Sequence, residues 1–198
     1  GVSERELREY CTNPNIRRTI INGLKSLDRF GVEFPQRFYA PLMIVWNLTY
    51  HCNLRCEHCY ENAGPLRPRE LGRDELTTEE KLSVVDQIAD SYIPTLSFSG
   101  GEPLICKDFW AVAERGAERG LYMSMNTNGT LITREVARRL EQLKFGYVAV
   151  SVDSPTPEIH DKFRGVNGAW ERTIEGIRYL AETNVSTVLS FTITRYNF

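Results

Sequence analysis

The sequence predicts an α/β fold in which parallel strands with outer helices curve toward a barrel, and three observations carry that expectation. From residue 42 onward, short β-branched and aromatic runs alternate with amphipathic stretches of helical length, which is the rhythm of βαβ units. The first run, residues 42–49, is apolar enough for a strand buried on both faces. Polar residues and glycines collect where the strands end: cysteines after the first, Gly100 to Glu102 after the second, Asn126 at the third, Ser151 and Asp153 at the fourth. Rhythm alone does not separate a barrel from a doubly wound sheet. Chemistry gathered from several strand ends at one mouth is what a barrel provides.

The elements follow in order. Ser3-Glu4-Arg5-Glu6 has capping-box spacing and predicts a short helix to about residue 10. Thr12-Asn13-Pro14 offers a cap and a first-turn proline for the next helix, in which Ile16, Ile20, Leu24 and Leu27 recur at helical spacing, with Ile21 and Phe30 alongside, until Gly31. Its other face carries Arg17, Arg18, Lys25 and Arg29 and is expected to be solvated, with a membrane surface or a partner as the alternative. Residues 1–40 are thus a helical N-terminal extension, and residues 41–198 are the core. The glycine-, proline- and charge-rich residues 62–75 read as a long loop, after which Thr77-Thr78-Glu79-Glu80 opens a helix. Later strands are expected over residues 95–99, 121–126, 145–152 and 185–194. The helices expected are 108–120, 133–143 and 168–184, with a short turn from Thr156.

At 198 residues the chain suits one domain with a sizeable core, and a net charge of −2 argues against a nucleic-acid stripe. No apolar run approaches the roughly 18 residues of a membrane span, and no leader is visible, so a cytoplasmic location is expected. Five cysteines is an odd number, and three of them crowd into eight residues, which fits metal binding better than a disulfide framework. Cys52, Cys56 and Cys59 are spaced Cys-x3-Cys-x2-Cys. Thiolates favour iron-sulfur clusters, zinc or copper(I), and three of them hold three corners of a cubane cluster while leaving the fourth open. Cys11 and Cys106 read as small buried residues, with a fourth ligand to a cluster as the alternative, and His51 as structural.

The triplet, in the text Trp-Asn-Leu-Thr-x2-Cys-Asn-Leu-Arg-Cys-x-His-Cys-Tyr, followed by Gly100-Gly101-Glu102-Pro103 after the second strand run, resembles the radical S-adenosylmethionine (SAM) superfamily. The resemblance runs from about residue 42 to the end. It implies a [4Fe-4S] cluster whose unique iron is chelated by SAM, and reductive cleavage of SAM to a 5′-deoxyadenosyl radical that abstracts hydrogen from a substrate. It implies a partial barrel of six βα units, of which five are read here, so the last is absent from this chain. It also implies a reductase, ferredoxin or flavodoxin as electron donor.

For the site, the resemblance makes Cys52, Cys56 and Cys59 the cluster ligands. It puts His58 where an aromatic residue meets adenine, a solvent-facing loop histidine being the alternative. It turns Gly100, Gly101 and Glu102 toward the methionyl ammonium, and sets Ser151 and Asp153 near the carboxylate or ribose of SAM. Arg164 and Arg172 are both candidates for the carboxylate. Asn126 and Thr192 are candidates for the nucleoside, with ordinary strand packing as the alternative, and His160 and Asp161 resemble a recurrent family pattern, with capping or bracing the loop as the alternative. No side chain is assigned a catalytic step. The text resembles most the branch that matures peptides and tetrapyrrole cofactors, often with C-terminal auxiliary-cluster (SPASM-type) domains. Lipid modification or methyl transfer, a non-catalytic cluster carrier and a structural zinc site are the rival readings.

Overall fold

A computed structural model describes residues 3, 8, 10–64 and 75–197 of the chain. The expected capping box rests on residues 4–6, outside that set, as do loop residues 65–74. The elements run α1 Pro14–Phe30, β1 Met43–Asn47, α2 Thr78–Asp90, β2 Thr95–Ser99, a 3-10 turn at Pro103–Ile105, α3 Phe109–Glu118, β3 Tyr122–Thr127, α4 Arg134–Gln142, β4 Tyr147–Ser151, α5 Pro157–Arg164, α6 Ala169–Ala181 and β5 Ser186–Ser190. The five strands lie in the order β1-β2-β3-β4-β5, and every pair is parallel. Because parallel crossovers are right-handed and each one here advances in the same direction, the crossover helices α2, α3, α4 and α6 fall on one face. No reversal of strand order occurs, so the sheet is the singly wound kind that curls toward a barrel.

Alternation along the strands divides its two faces. Leu96 and Phe98 on β2, Met123 and Met125 on β3, and Val148 and Val150 on β4 pack with Val85, Phe109, Val112 and Leu140 of the helices. Register aligns these rows, Phe98 beside Met125 and Met125 beside Val148. The opposite parity, Ser97, Ser124, Asn126, Ala149 and Ser151, lines the inner face. That face is polar because it serves a cavity, so only the helix side reads as continuous core.

Several expectations need correction. β1 is not buried on both faces: Met43 is 49% and Val45 is 55% exposed. It is an edge strand, with a neighbour on one side only. β5 is likewise an edge and shorter than expected, leaving Phe191 and Ile193 exposed beyond its end. The turn after Thr156 is a full helix, α5, begun by Pro157 in its first turn and closed by Gly165 in the left-handed region at φ 71°. Cys11 is exposed, since the segment before α1 lies away from the core.

Helix α1 departs furthest from its sequence pattern. Asn13 caps it as expected, accepting from the Asn15 and Ile16 amides. Its buried residues are nevertheless Asn22 and Ser26, while Ile20, Leu24 and Leu27 face outward, Leu24 at 61% exposure. The cause lies in the surface it meets. The C-terminal ends of α2 and α3 present carbonyls with no helical partner. Arg18 donates to the Ala89 carbonyl at 3.2 Å, to Gly120 at 2.8 Å and also to Arg119. A docking surface of carbonyls selects donors, so Arg18 is bound rather than solvated, and Lys25 lies over the rings of Tyr39 and Tyr92.

Candidate active site

The loop after β1 is shaped by hydrogen bonds to two other parts of the chain. On one side it zips to the turn after β2: the Leu48, Gly101 and Glu102 amides donate to the carbonyls of Ser99, Thr49 and His51 at 2.9, 2.7 and 2.8 Å. Glycine is required there. A Cβ at Gly100, whose φ is +124°, would sit 2.5 Å from the Thr49 carbonyl oxygen, and one at Gly101 would sit 2.1 Å from that of His51. On the other side, the Arg55 and Glu57 amides donate to the carbonyls of Arg164 and Phe163 at the end of α5, at 3.0 and 3.1 Å.

Between these supports lies a cavity of about 370 Å³ at the C-terminal ends of the strands. Cys52, Cys56 and Cys59 line it, all as free thiols. Burial pushes the Cys52 thiol up to about 11 and raises that of Cys56 as well, with the Arg164 guanidinium opposing the shift at Cys56. Neutral thiols at these sites therefore become thiolates only when something positively charged or metallic takes the proton's place. The sulfurs accept different donors: Cys52 from the Leu54 amide at 3.4 Å and the Asn128 carboxamide at 3.8 Å, Cys59 from the Ala63 amide at 3.3 Å, Cys56 from Arg164 Nη1 at 3.5 Å.

The expected site residues divide into two groups. His58, Gly100, Gly101, Asn126, Ser151, Arg164 and Thr192 line the same cavity as the cysteines. His58 stacks flat on Phe163, with ring centroids 4.3 Å apart, so one face of the imidazole is already occupied. Burial first and Arg164 second hold its pKa down, favouring the uncharged ring. Asn126 donates to the Ser97 hydroxyl at 3.3 Å.

Glu102 and Asp153 are fully buried beneath the cavity and do not line it. Glu102 accepts from the Thr127 hydroxyl and the Asn128 amide, both at 2.8 Å, clasping β2 to the turn after β3. Burial pushes its carboxyl up to about 7, and those donors pull it only part of the way back. Asp153 pairs with Arg164, accepts from the Thr192 amide at 2.9 Å, and donates its own amide to His160 Nδ1 at 3.2 Å. Asp161 braces the start of α6, accepting from the amides of Gly168, just before the helix, and Trp170, in its first turn. Arg172 is exposed and does not line the cavity, since it points off the first turn of α6.

Sequence reading missed Asn128, whose carboxamide also donates to Asn53 Oδ1 at 2.9 Å and so ties the turn after β3 to the cysteine loop. The only signal was its place in Thr127-Asn128-Gly129, which reads as an ordinary turn. Cys106 is buried as expected, but beside a different cavity, where Lys81 donates to its sulfur at 3.5 Å and pairs with Asp108 at 2.9 Å.

Comparison with known proteins agrees with this arrangement. The family model described as the Radical SAM superfamily matches residues 46–197. The Fe-coproporphyrin III synthase of Methanosarcina barkeri is 39% identical over 155 residues, covering 78% of this chain and 38% of that protein. Mycofactocin maturase MftC of Mycobacterium tuberculosis is 32% identical over 166 residues, covering 83% of this chain and 41% of that protein. The crystal structure of SuiB from Streptococcus suis superposes with a TM-score of 0.69 at 19% identity, over 91% of this chain and 39% of that one. The chain therefore spans about two fifths of the length of the curated relatives it matches. With the cysteine loop, the glycine turn and strands β2 to β5 all inside the matched segment, this chain belongs to the radical SAM superfamily.

Proposed function

We propose that the chain is the SAM-cleaving core of a radical SAM oxidoreductase, in which residues 1–40 form an extension and residues 41–198 an incomplete barrel. One observation carries this reading: three free thiols share one cavity with a glycine turn and a buried arginine, while Cys106 lies at another cavity and Cys11 on the surface. The donor set fits a cluster. Three thiols on one cavity are the donor type of an iron-sulfur cluster with one iron left open.

In this reading Cys52, Cys56 and Cys59 hold a [4Fe-4S] cluster and leave its fourth iron to SAM. When bound, that pair supplies one-electron cleavage of the sulfonium and a 5′-deoxyadenosyl radical. The remaining work belongs to the chain. Gly100 and Gly101 bring bare backbone to the cavity wall, and Glu102 holds that wall in place from below. Arg164, whose Nε has no partner among the described residues, meets the SAM carboxylate, and Arg172 is left out. The open face of His58 meets adenine, and Asn126, Ser151 and Thr192 offer polar contacts to the nucleoside. A ferredoxin- or flavodoxin-type protein or a reductase supplies the electron. The substrate class is a tetrapyrrole or a peptide: one curated relative is named for Fe-coproporphyrin III, and SuiB, whose fold this chain shares, has been solved bound to a precursor peptide. No described helix is long and apolar enough to cross a membrane.

Anaerobic reconstitution with iron and sulfide, then reduction with SAM present, is expected to yield 5′-deoxyadenosine. An intact cluster that gives none removes the catalytic reading and leaves the carrier. Cys56→Ala is expected to lose both the cluster absorbance and the product, and survival of either breaks the ligand assignment.

A further inference from the structure

We propose that Arg164 is a positioning residue that raises the reduction potential of the cluster through the Cys56 sulfur, with Asp153 as its anchor and partial counterweight. The proposal rests on the reading of the three cysteines as cluster ligands. The three sulfurs stand in unequal surroundings. Backbone amides and a neutral carboxamide reach Cys52, and a backbone amide reaches Cys59. Cys56 alone among them is shown accepting from a cation, Arg164 Nη1 at 3.5 Å.

The charge of that donor is permanent, because a guanidinium does not give up its proton in a protein. At 7% exposure it is also poorly screened by solvent ions. A cluster gains one negative charge when it is reduced. A fixed cation against one of its sulfurs therefore stabilises the reduced form more than the oxidised form, and the potential moves up.

Asp153 makes the placement independent of any ligand. Its carboxylate is fully buried, accepts from the Thr192 amide and pairs with the guanidinium, while its amide is tied to His160. The arginine is thus aimed before a cluster arrives. The carboxylate also cancels part of the arginine's field, so the two charges are expected to act on the potential with opposite signs. A purely structural role for Arg164 predicts otherwise, since its main-chain carbonyl, which holds the Arg55 amide, is untouched by side-chain substitution.

The test is an anaerobic redox titration of the reconstituted chain, followed by electron paramagnetic resonance and run without SAM. Arg164→Gln is expected to retain iron and to shift the one-electron reduction equilibrium at least tenfold toward the oxidised cluster, about 59 mV more negative. Asp153→Asn, which keeps an acceptor for Thr192 but removes the counter-charge, is expected to shift it the other way. An Arg164→Gln protein with full iron content and an unmoved potential overturns the proposal. If that variant does not hold its cluster, Asp153→Asn decides: an upward shift supports the proposal, and no shift or a downward one ends it. A wild-type chain that assembles no four-iron cluster refutes the functional reading instead, and shows it before any variant is compared.

Discussion

Two knots of buried polar side chains brace this chain, one under the sheet and one over it, and they differ in how completely they are satisfied. Below, the Asn22 carboxamide donates to the carbonyls of Ala40 and Tyr92 at 2.9 and 3.3 Å and accepts from the Ala40 amide, while the Ser26 hydroxyl donates to the Asn22 carbonyl and accepts from the Tyr39 amide. That knot is closed. Above, Asp153, Arg164 and His160 interlock, yet Arg164 Nε, His160 Nε2 and the neighbouring His58 Nδ1 have no partner among the described residues. Leaving a buried polar group unpaired costs about 1–3 kcal/mol, so folds made only for stability avoid it. The difference teaches where to look: the closed knot serves the architecture, and the one with spare valence is where the ligand proposed above would find its partners.

The sharpest way to break this contrast is Asp153→Ala, which strands a buried guanidinium and frees the Thr192 amide. Removing one partner of a buried pair costs about 3–5 kcal/mol, to be read from urea unfolding of the metal-free protein. A loss below about 1 kcal/mol would mean that the upper knot holds nothing. Next comes Glu102, whose carboxyl titrates at about 7 in the folded chain against an ordinary 4.5. A raised carboxyl pKa means that the contribution to stability is full below about pH 4.5 and is lost as pH rises through about 7. The loss is on the order of 3 kcal/mol across that window. Glu102→Gln is expected to flatten this part of the stability profile, and a wild-type profile that is already flat would contradict the burial described. The smallest effects belong to the lower knot. Asn22→Ala is expected to cost about 1–3 kcal/mol, and Leu24→Gln on the outward face of the same helix less than about 0.5 kcal/mol. The reverse order would turn α1 over.

Most of the strand and helix order was legible, because a period of two and a period of 3.6 are local signals and the central strands β2, β3 and β4 obey them. The cysteines and the glycine pair were legible as motifs for the same reason. What sequence could not show was the surface on the far side of each element. The stripe of Ile20, Leu24 and Leu27 obeys helical spacing, but carbonyls at the ends of α2 and α3 bind Arg18 and turn the helix over. β1 reads as a buried strand, yet it lies at an edge. Arg164 and Arg172 are equivalent in the sequence. Only the fold distinguishes them, by ending α5 with the Arg164 side chain against Cys56 and leaving Arg172 on the exposed face of α6. Asp153 alternates with Ser151 along the chain, but it lies two residues past the end of β4, and its carboxylate is buried under the cavity instead of lining it.

The loop that carries Cys56 takes its shape from the carbonyls of Phe163 and Arg164, which lie more than a hundred positions further along the chain. Small zinc modules behave in the opposite way, collapsing into form only when the ion arrives. Here the mould is set before the casting. Chelation should therefore empty this protein without melting it, and the vacant form should take up iron and sulfide again without first having to refold.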